Sequence, residues 1–177
     1  LHLDFRRQRQ MCIRDRILSA GEGNANAVGE HTLSLILSLF NNIIKANNEI
    51  NNNVWQREGN RGIELENKTV GIIGYGKTGK NFAKKLAGFN VKVLCNDIIE
   101  NIADDYAEQV SIDEIQSKCD IISLHTDLNK LSKHLLNTQF IDNCKKPFYL
   151  INTSRGLCVK TSDLILGIKT GKILGAG

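Results

Sequence analysis

At 177 residues, with 41% hydrophobic and 24% charged side chains, the sequence is sized for one ordinary core and belongs with globular chains. The net charge of +4 sits mostly at one end: Arg6, Arg7, Arg9, Arg14 and Arg16 against Asp4 and Asp15 give +3 in residues 1–16, leaving +1 elsewhere. No basic stripe is left for nucleic acid or an anionic membrane, so neither is expected as a partner.

Residues 1–16, LHLDFRRQRQMCIRDR, show no apolar periodicity, and MCIRDR resembles a translated sequencing-library adapter. The stretch reads as a non-native or disordered segment outside the fold. The longest apolar run, residues 32–40, is far shorter than the roughly 20 residues a spanning helix needs. No charged-then-apolar leader opens the chain, so the cytoplasm is the expected location. Five cysteines (Cys12, Cys95, Cys119, Cys144, Cys158) are widely spaced with no C-x-x-C pair. They read as idle thiols in a reducing compartment, with no metal site.

Past Asn24 the stretch NAVGEHTLSLILSLFNNIIKANNEI, residues 26–50, places Val28, Leu35, Leu39 and Ile43 on one side at helical spacing, with Thr32 and Ile36 beside them. It predicts one long helix of about 23 residues, in which His31 is packed and hydrogen-bonded. The polar, Asn- and Gly-rich NNNVWQREGNRGIELENK predicts a loop anchored by Trp55. Thereafter TVGII, VKVLCN, DIISLH and FYLIN recur as short apolar strands between helical segments such as residues 81–89 and 111–118, the latter opened by a capping box of Ser111 and Glu114. Alternating strands and helices predict an α/β fold, a doubly wound parallel sheet with helices on both faces.

The loop VGIIGYGKTGK satisfies two patterns. From Gly71 it is the P-loop G-x-x-x-x-G-K-T, and from Gly74 it is the dinucleotide fingerprint G-x-G-x-x-G. A P-loop needs its first Gly at the strand end, yet Ile72 and Ile73 after Gly71 are core-type strand residues. In the dinucleotide reading Gly74 makes the tight turn, Gly76 lets backbone approach a pyrophosphate, and Gly79 permits close helix–strand packing. The next strand ends in Asp97, 18 residues after Gly79, where a carboxylate accepts hydrogen bonds from the adenosine ribose. Asp97 would repel a 2′-phosphate, and Ile98 and Ile99 follow it where an NADP enzyme offers Arg, so NAD is the expected cofactor.

GNANAVGEHTL, the glycine loop, DIISLHTDLN, FYLINTSRG and the terminal GKILGAG together resemble the D-isomer-specific 2-hydroxyacid dehydrogenases, closest to phosphoglycerate dehydrogenase-like members, over roughly residues 20–177. The resemblance implies a two-domain, usually dimeric oxidoreductase that passes hydride between NAD and C2 of a 2-hydroxy or 2-oxo acid, 3-phosphoglycerate first. It implies a Rossmann-type NAD domain over residues 24–177, incomplete at its C-terminus, with residues 17–23 a remnant of a mostly absent substrate domain.

The resemblance also carries roles. Lys77 and Thr78 border the pyrophosphate, Thr126 touches the cofactor, and Thr153, Ser154 and Arg155 lie beside the nicotinamide. Arg155 is the expected catalytic residue, its guanidinium pairing with a substrate carboxylate and polarising the carbonyl. His125 reads as structural or cofactor-side, and His134 as exposed. The family's acid–base His, its Glu partner and a further cofactor-binding Asp lie beyond GAG, so the chain alone is expected to be inactive. Asp127 departs from the family's Pro, which would loosen that loop, and Lys160 from its acidic residue. A non-catalytic NAD-sensing or corepressor-like module on the same fold is the alternative.

Overall fold

A computed structural model describes residues 23–177. The readings of residues 1–16 and 17–22, and Cys12, lie outside the described residues. Six strands, β1 (Thr69–Ile73), β2 (Lys92–Asn96), β3 (Glu108–Gln109), β4 (Ile121–Leu124), β5 (Phe148–Asn152) and β6 (Ile173–Ala176), form one sheet in the order β3-β2-β1-β4-β5-β6. Every pair is parallel. This is the doubly wound order of a dinucleotide fold, with its switch point between β1 and β4.

The described residues form six α-helices: α1 (Ala25–Phe40), α2 (Ile43–Asn51), α3 (Lys77–Leu86), α4 (Ile112–Lys118), α5 (Thr138–Asn143) and α6 (Thr161–Lys169). On one face Ile36 and Phe40 of α1 and Phe82, Ala83 and Leu86 of α3 close over Val70, Ile72, Ile121 and Ile151. On the other, Ile115 of α4 and Phe140 and Ile141 of α5 close over Ile73, Leu94, Ile122 and Leu150. Burial on both faces explains why these strands read as continuous apolar runs. Among the described residues no helix is long and apolar enough to cross a membrane. Ser111 caps α4 as expected, accepting the Glu114 N–H at 3.2 Å.

Gly71 lies inside the central strand, paired with Leu94 on one side and Ile122 on the other. A Cβ there would stand 2.6 Å from Cys119 Sγ and 2.9 Å from Ile115 Cγ2, so α4 reaches the strand because residue 71 has no side chain. Its hydrogen bonds and its space are committed to the sheet, which rules out the P-loop pattern.

Several expectations are corrected. The single long helix is broken after Phe40, where Asn42 adopts a left-handed φ of 52° that asparagine tolerates better than most residues. The Asn41 side chain donates to the Leu37 carbonyl at 3.0 Å, closing the helix end. The buried stripe of α1 is Ala25, Gly29, Thr32, Ile36 and Phe40, one position over from the predicted one, and α2 buries none of its residues. Gly29 sets this rotation, since a Cβ would lie 3.2 Å from the Phe82 backbone nitrogen on α3. Trp55 is 78% exposed and anchors nothing. Strands β3 and β6 complete the sheet edges without having been anticipated.

Candidate cofactor and substrate site

The chain leaves β1 at Ile73 and turns at Gly74, whose φ of +91° suits glycine. A Cβ at Gly74 would lie 2.8 Å from the His125 carbonyl carbon and oxygen and 2.9 Å from Thr126 N. The turns after β1 and β4 therefore pack backbone against backbone at the switch point. Gly79 serves the same closeness one helical turn on: its Cβ would strike the Gly74 carbonyl oxygen. Gly76 differs, because a Cβ there would meet nothing within 4 Å.

Gly76 is the N-cap of α3, which has no acidic residue in its first turn and Lys84 and Lys85 in its last. Peptide N–H groups at a helix start lack intrahelical partners and carry partial positive charge. With Gly76 bare, exposed Lys77 and half-buried Thr78 open a helix whose end an anion can reach through backbone alone. This is the space and charge a pyrophosphate requires.

Asp97 follows β2 and is held beside that turn. Its Oδ2 accepts the Tyr75 N–H at 2.6 Å and its Oδ1 the Ile99 N–H at 3.0 Å. An ionised carboxylate has about four acceptor positions, so it keeps capacity for ribose hydroxyls. Ile98 and Ile99, both exposed, offer no cation to a 2′-phosphate.

Across the switch point the turns after β4 and β5 are tied together. Ser154 Oγ accepts the Thr126 N–H at 3.1 Å, and the Ser154 N–H donates to Asn152 Oδ1 at 3.1 Å. Thr153 Oγ1 lies 3.2 Å from Thr32 Oγ1, which is fully buried and donates to the Val28 carbonyl at 2.7 Å. Helix α1 thus steadies the β5 turn through Thr32, a residue that sequence reading placed only on an apolar stripe. Its signal was a hydroxyl at a core position. Arg155 is exposed, its Nη1 donating to the Ser154 carbonyl at 2.8 Å.

A cleft of about 620 Å³ opens between α1 and the ends of β5 and β6, lined by Val28, His31, Leu35, Thr153, Ser154 and Gly177 among others. His31 is therefore exposed to the cleft rather than packed, another correction. His125 Nε2 sits 2.9 Å from Ser123 Oγ, its ring stacks on Phe82 at 5.4 Å, and Nδ1 is buried without a partner. Burial lowers its pKa to about 4, so the ring is a packed neutral group at ordinary pH rather than a proton shuttle. His134 is half-buried with a left-handed φ of 54°.

The two departures have structural partners. Ser132 Oγ donates to the Asp127 carbonyl, and Asn129 Oδ1 accepts the Leu131 and Ser132 N–H groups, so the turn after β4 is closed without proline. Lys160 pairs with Asp163 at 3.1 Å, and Asp163 Oδ2 accepts the Thr138 N–H at 2.8 Å, joining α6 to α5. Hydrogen bonds from Thr138 and Ser162 and the Lys160 contact hold that carboxyl well below the usual range. Cys95, Cys119, Cys144 and Cys158 are free and buried.

The family profile of the D-isomer specific 2-hydroxyacid dehydrogenase NAD binding domain matches residues 33–177. The chain belongs to this family. A glyoxylate reductase from Thermofilum pendens is 38% identical over 160 residues, 85% of this chain and 47% of the relative. A D-3-phosphoglycerate dehydrogenase from Haemophilus influenzae is 34% identical over 161 residues, 90% and 39% of the two chains. Among solved structures, the D-lactate dehydrogenase from Aquifex aeolicus complexed with NAD and lactic acid is similar at a TM-score of 0.79 and 33% identity, covering 86% of this chain and 47% of that one. The chain spans about half the length of the relatives it matches. As a D-2-hydroxyacid dehydrogenase domain it has NAD as its cofactor, and the bare Gly76, the α3 start and Asp97 fit that molecule.

Proposed function

We propose that this D-2-hydroxyacid dehydrogenase domain holds NAD for hydride exchange with C2 of a small D-2-hydroxy or 2-oxo acid. The observation that carries the reading is Asp97 fixed against the Tyr75 N–H beside the open Gly76 position, a ribose acceptor next to a phosphate cradle. Gly74, Gly76 and Gly79 shape the cradle, Lys77 and Thr78 offer backbone to the pyrophosphate, and Thr126, Thr153 and Ser154 border the nicotinamide. When bound, NAD supplies the hydride acceptor or donor. Arg155 pairs with the substrate carboxylate and stabilises charge on the C2 oxygen.

The substrate lies among small 2-oxo acids. The matched glyoxylate reductase is 38% identical and the D-3-phosphoglycerate dehydrogenase 34%, which supports an unphosphorylated acid ahead of 3-phosphoglycerate and serine biosynthesis. The full-length protein acts as a homodimer. The exposed Ile43, Ile44, Ile50 and Trp55 of α2 and the segment after it support this as apolar surface that a second subunit would cover. Buried free thiols are consistent with the cytoplasm.

Asp97→Ala tests the cofactor half of this reading by calorimetric titration with NAD and NADP. Loss of charge-assisted hydrogen bonds worth roughly 1.5–3 kcal/mol should weaken NAD by about tenfold or more, while NADP changes less. An NAD/NADP affinity ratio unchanged by the substitution would place the ribose away from Asp97.

A further inference from the structure

Tyr75 stands between two glycines of the loop that cradles the phosphates, yet it is fully buried. It makes two bonds to one segment. Its backbone N–H meets Asp97 Oδ2 at 2.6 Å, and its phenol donates to Asp104 Oδ1 at 2.7 Å, seven residues further along. Asp104 also accepts the Tyr106 N–H at 2.9 Å, and its Oδ2 lies 3.9 Å from Lys80 Nζ on α3. The Lys80 ammonium sits 5.6 Å from the Tyr75 ring centroid.

Residues 97–103 contain no helix or strand, and Asn101 has a left-handed φ of 58°. A segment without its own ladder takes its shape from bonds at its ends and from side chains that cross it. One such side chain is Gln109, which accepts the Ile102 N–H at 2.9 Å and donates to the Ile99 carbonyl at 2.7 Å. Tyr75 bonds the segment at both ends, at Asp97 and at Asp104, where the Asp104 N–H also donates to the Ala107 carbonyl. A buried core position would be filled as well by Phe, so the hydroxyl is there for Asp104. Burial first, and then the Asp104 carboxylate, raise the phenol's pKa far above its ordinary value, so the group remains a donor at any working pH.

We infer that Tyr75 is a positioning residue for cofactor choice, a two-ended staple that fixes the Asp97 carboxylate for the adenosine ribose by holding residues 97–104 against the glycine loop. The inference rests on the proposed role of Asp97. Once the phenol bond is cut, residues 97–104 lose the Tyr75 side-chain tie to the glycine loop; Asp104 keeps its contacts with Tyr106, Ala107 and Lys80, and the Asp97 carboxylate is held by the Tyr75 and Ile99 N–H groups alone, with more freedom to turn from the ribose. NAD then loses ribose bonds, while NADP escapes part of the repulsion that excludes it.

The test is calorimetric titration of the 177-residue chain and its Tyr75→Phe and Asp104→Ala variants with NAD, NADP and ADP-ribose, alongside thermal unfolding. Tyr75→Phe should weaken NAD and ADP-ribose about tenfold and NADP by less than about twofold, as expected for one bond to a charged acceptor. Asp104→Ala removes the same bond from the partly exposed side, together with the Tyr106 and Lys80 contacts, should shift the NAD/NADP ratio in the same direction, and gives the readout if Tyr75→Phe does not fold. The double variant should be no weaker than Asp104→Ala alone, because that substitution already deletes the phenol bond along with the Tyr106 and Lys80 contacts. An NAD/NADP ratio equal to wild type overturns the inference, whether nothing changes or both affinities fall together as general loosening requires. A wild-type chain that binds neither NAD nor ADP-ribose overturns the cofactor reading itself, a result distinguishable from failure of the staple.

Discussion

Replacing Gly74 by alanine is expected to remove about 2–4 kcal/mol of stability, as a left-handed backbone and a steric clash together imply. For a chain of this size that lowers the melting temperature by roughly 5–15 °C. The cause is backbone geometry: φ is +91°, and the new Cβ would lie 2.8 Å from the His125 carbonyl group, which cannot rotate away like a side chain. The same substitution two residues on should behave in the opposite way. Gly76 has an ordinary φ of −78°, and its Cβ would meet nothing, so the fold should melt within about 2 °C of wild type. Its methyl group would, however, occupy the approach to the start of α3 and weaken NAD at least about tenfold, the cost of about 1.4 kcal/mol of lost contact. Thermal unfolding and NAD titration of both variants check the pair. A Gly74→Ala protein as stable as wild type would mean the β1 and β4 turns are not packed as described.

Arg155→Ala in the full-length protein should cost about 2–5 kcal/mol of transition-state binding, as when one partner of a desolvated charge pair is truncated. Hydride transfer to a 2-oxo acid leaves charge on the former carbonyl oxygen, which a cation stabilises and a proton donor must finally neutralise. Arg155 is exposed and its guanidinium bonds the Ser154 carbonyl next to it, so it can swing to a substrate without breaking a buried contact. Lys should recover part of the loss, since it lacks the planar two-pronged fork. The enclosed, neutral His125 supplies no proton there, and the 177-residue chain alone should show no NADH oxidation with glyoxylate, pyruvate or 3-phosphohydroxypyruvate. Steady-state NADH absorbance measures all of these. Turnover by the chain alone, or full-length Arg155→Ala within about twofold of wild type, would show the catalytic assignment to be wrong.

The parts of the fold set by local chemistry were legible in the sequence. TVGII and FYLIN match β1 and β5 to the residue, because apolar runs bounded by polar or glycine residues mark strands buried on both faces. The order Gly74, Gly76, Gly79 and Asp97 was legible because chain geometry fixes the distance from a glycine turn to the next strand end. What escaped depends on distant partners. Strand β3 is two residues, Glu108 and Gln109, and exists through pairing with Leu94 and Cys95 rather than through its composition. Strand β6 carries a glycine at its centre because Gly175 lies under Tyr149, where a Cβ would be 3.2 Å from the ring. The break at Asn41 and Asn42 interrupts an otherwise continuous helical pattern, and only the loss of burial beyond it explains why α2 turns away. Nothing local marks Thr32 or the Tyr75 hydroxyl, whose partners Thr153 and Asp104 lie far along the chain.

The central claim is that this glycine loop holds a dinucleotide although its letters also spell a P-loop. Isothermal titration of the 177-residue chain with NAD and with MgATP tests it most directly. NAD should bind one to one and more tightly than MgATP, and Lys77→Ala should leave that preference in place, because Gly71 is committed to the centre of the sheet and the phosphates are met by backbone. MgATP binding tighter than NAD, and abolished by Lys77→Ala, would contradict the account.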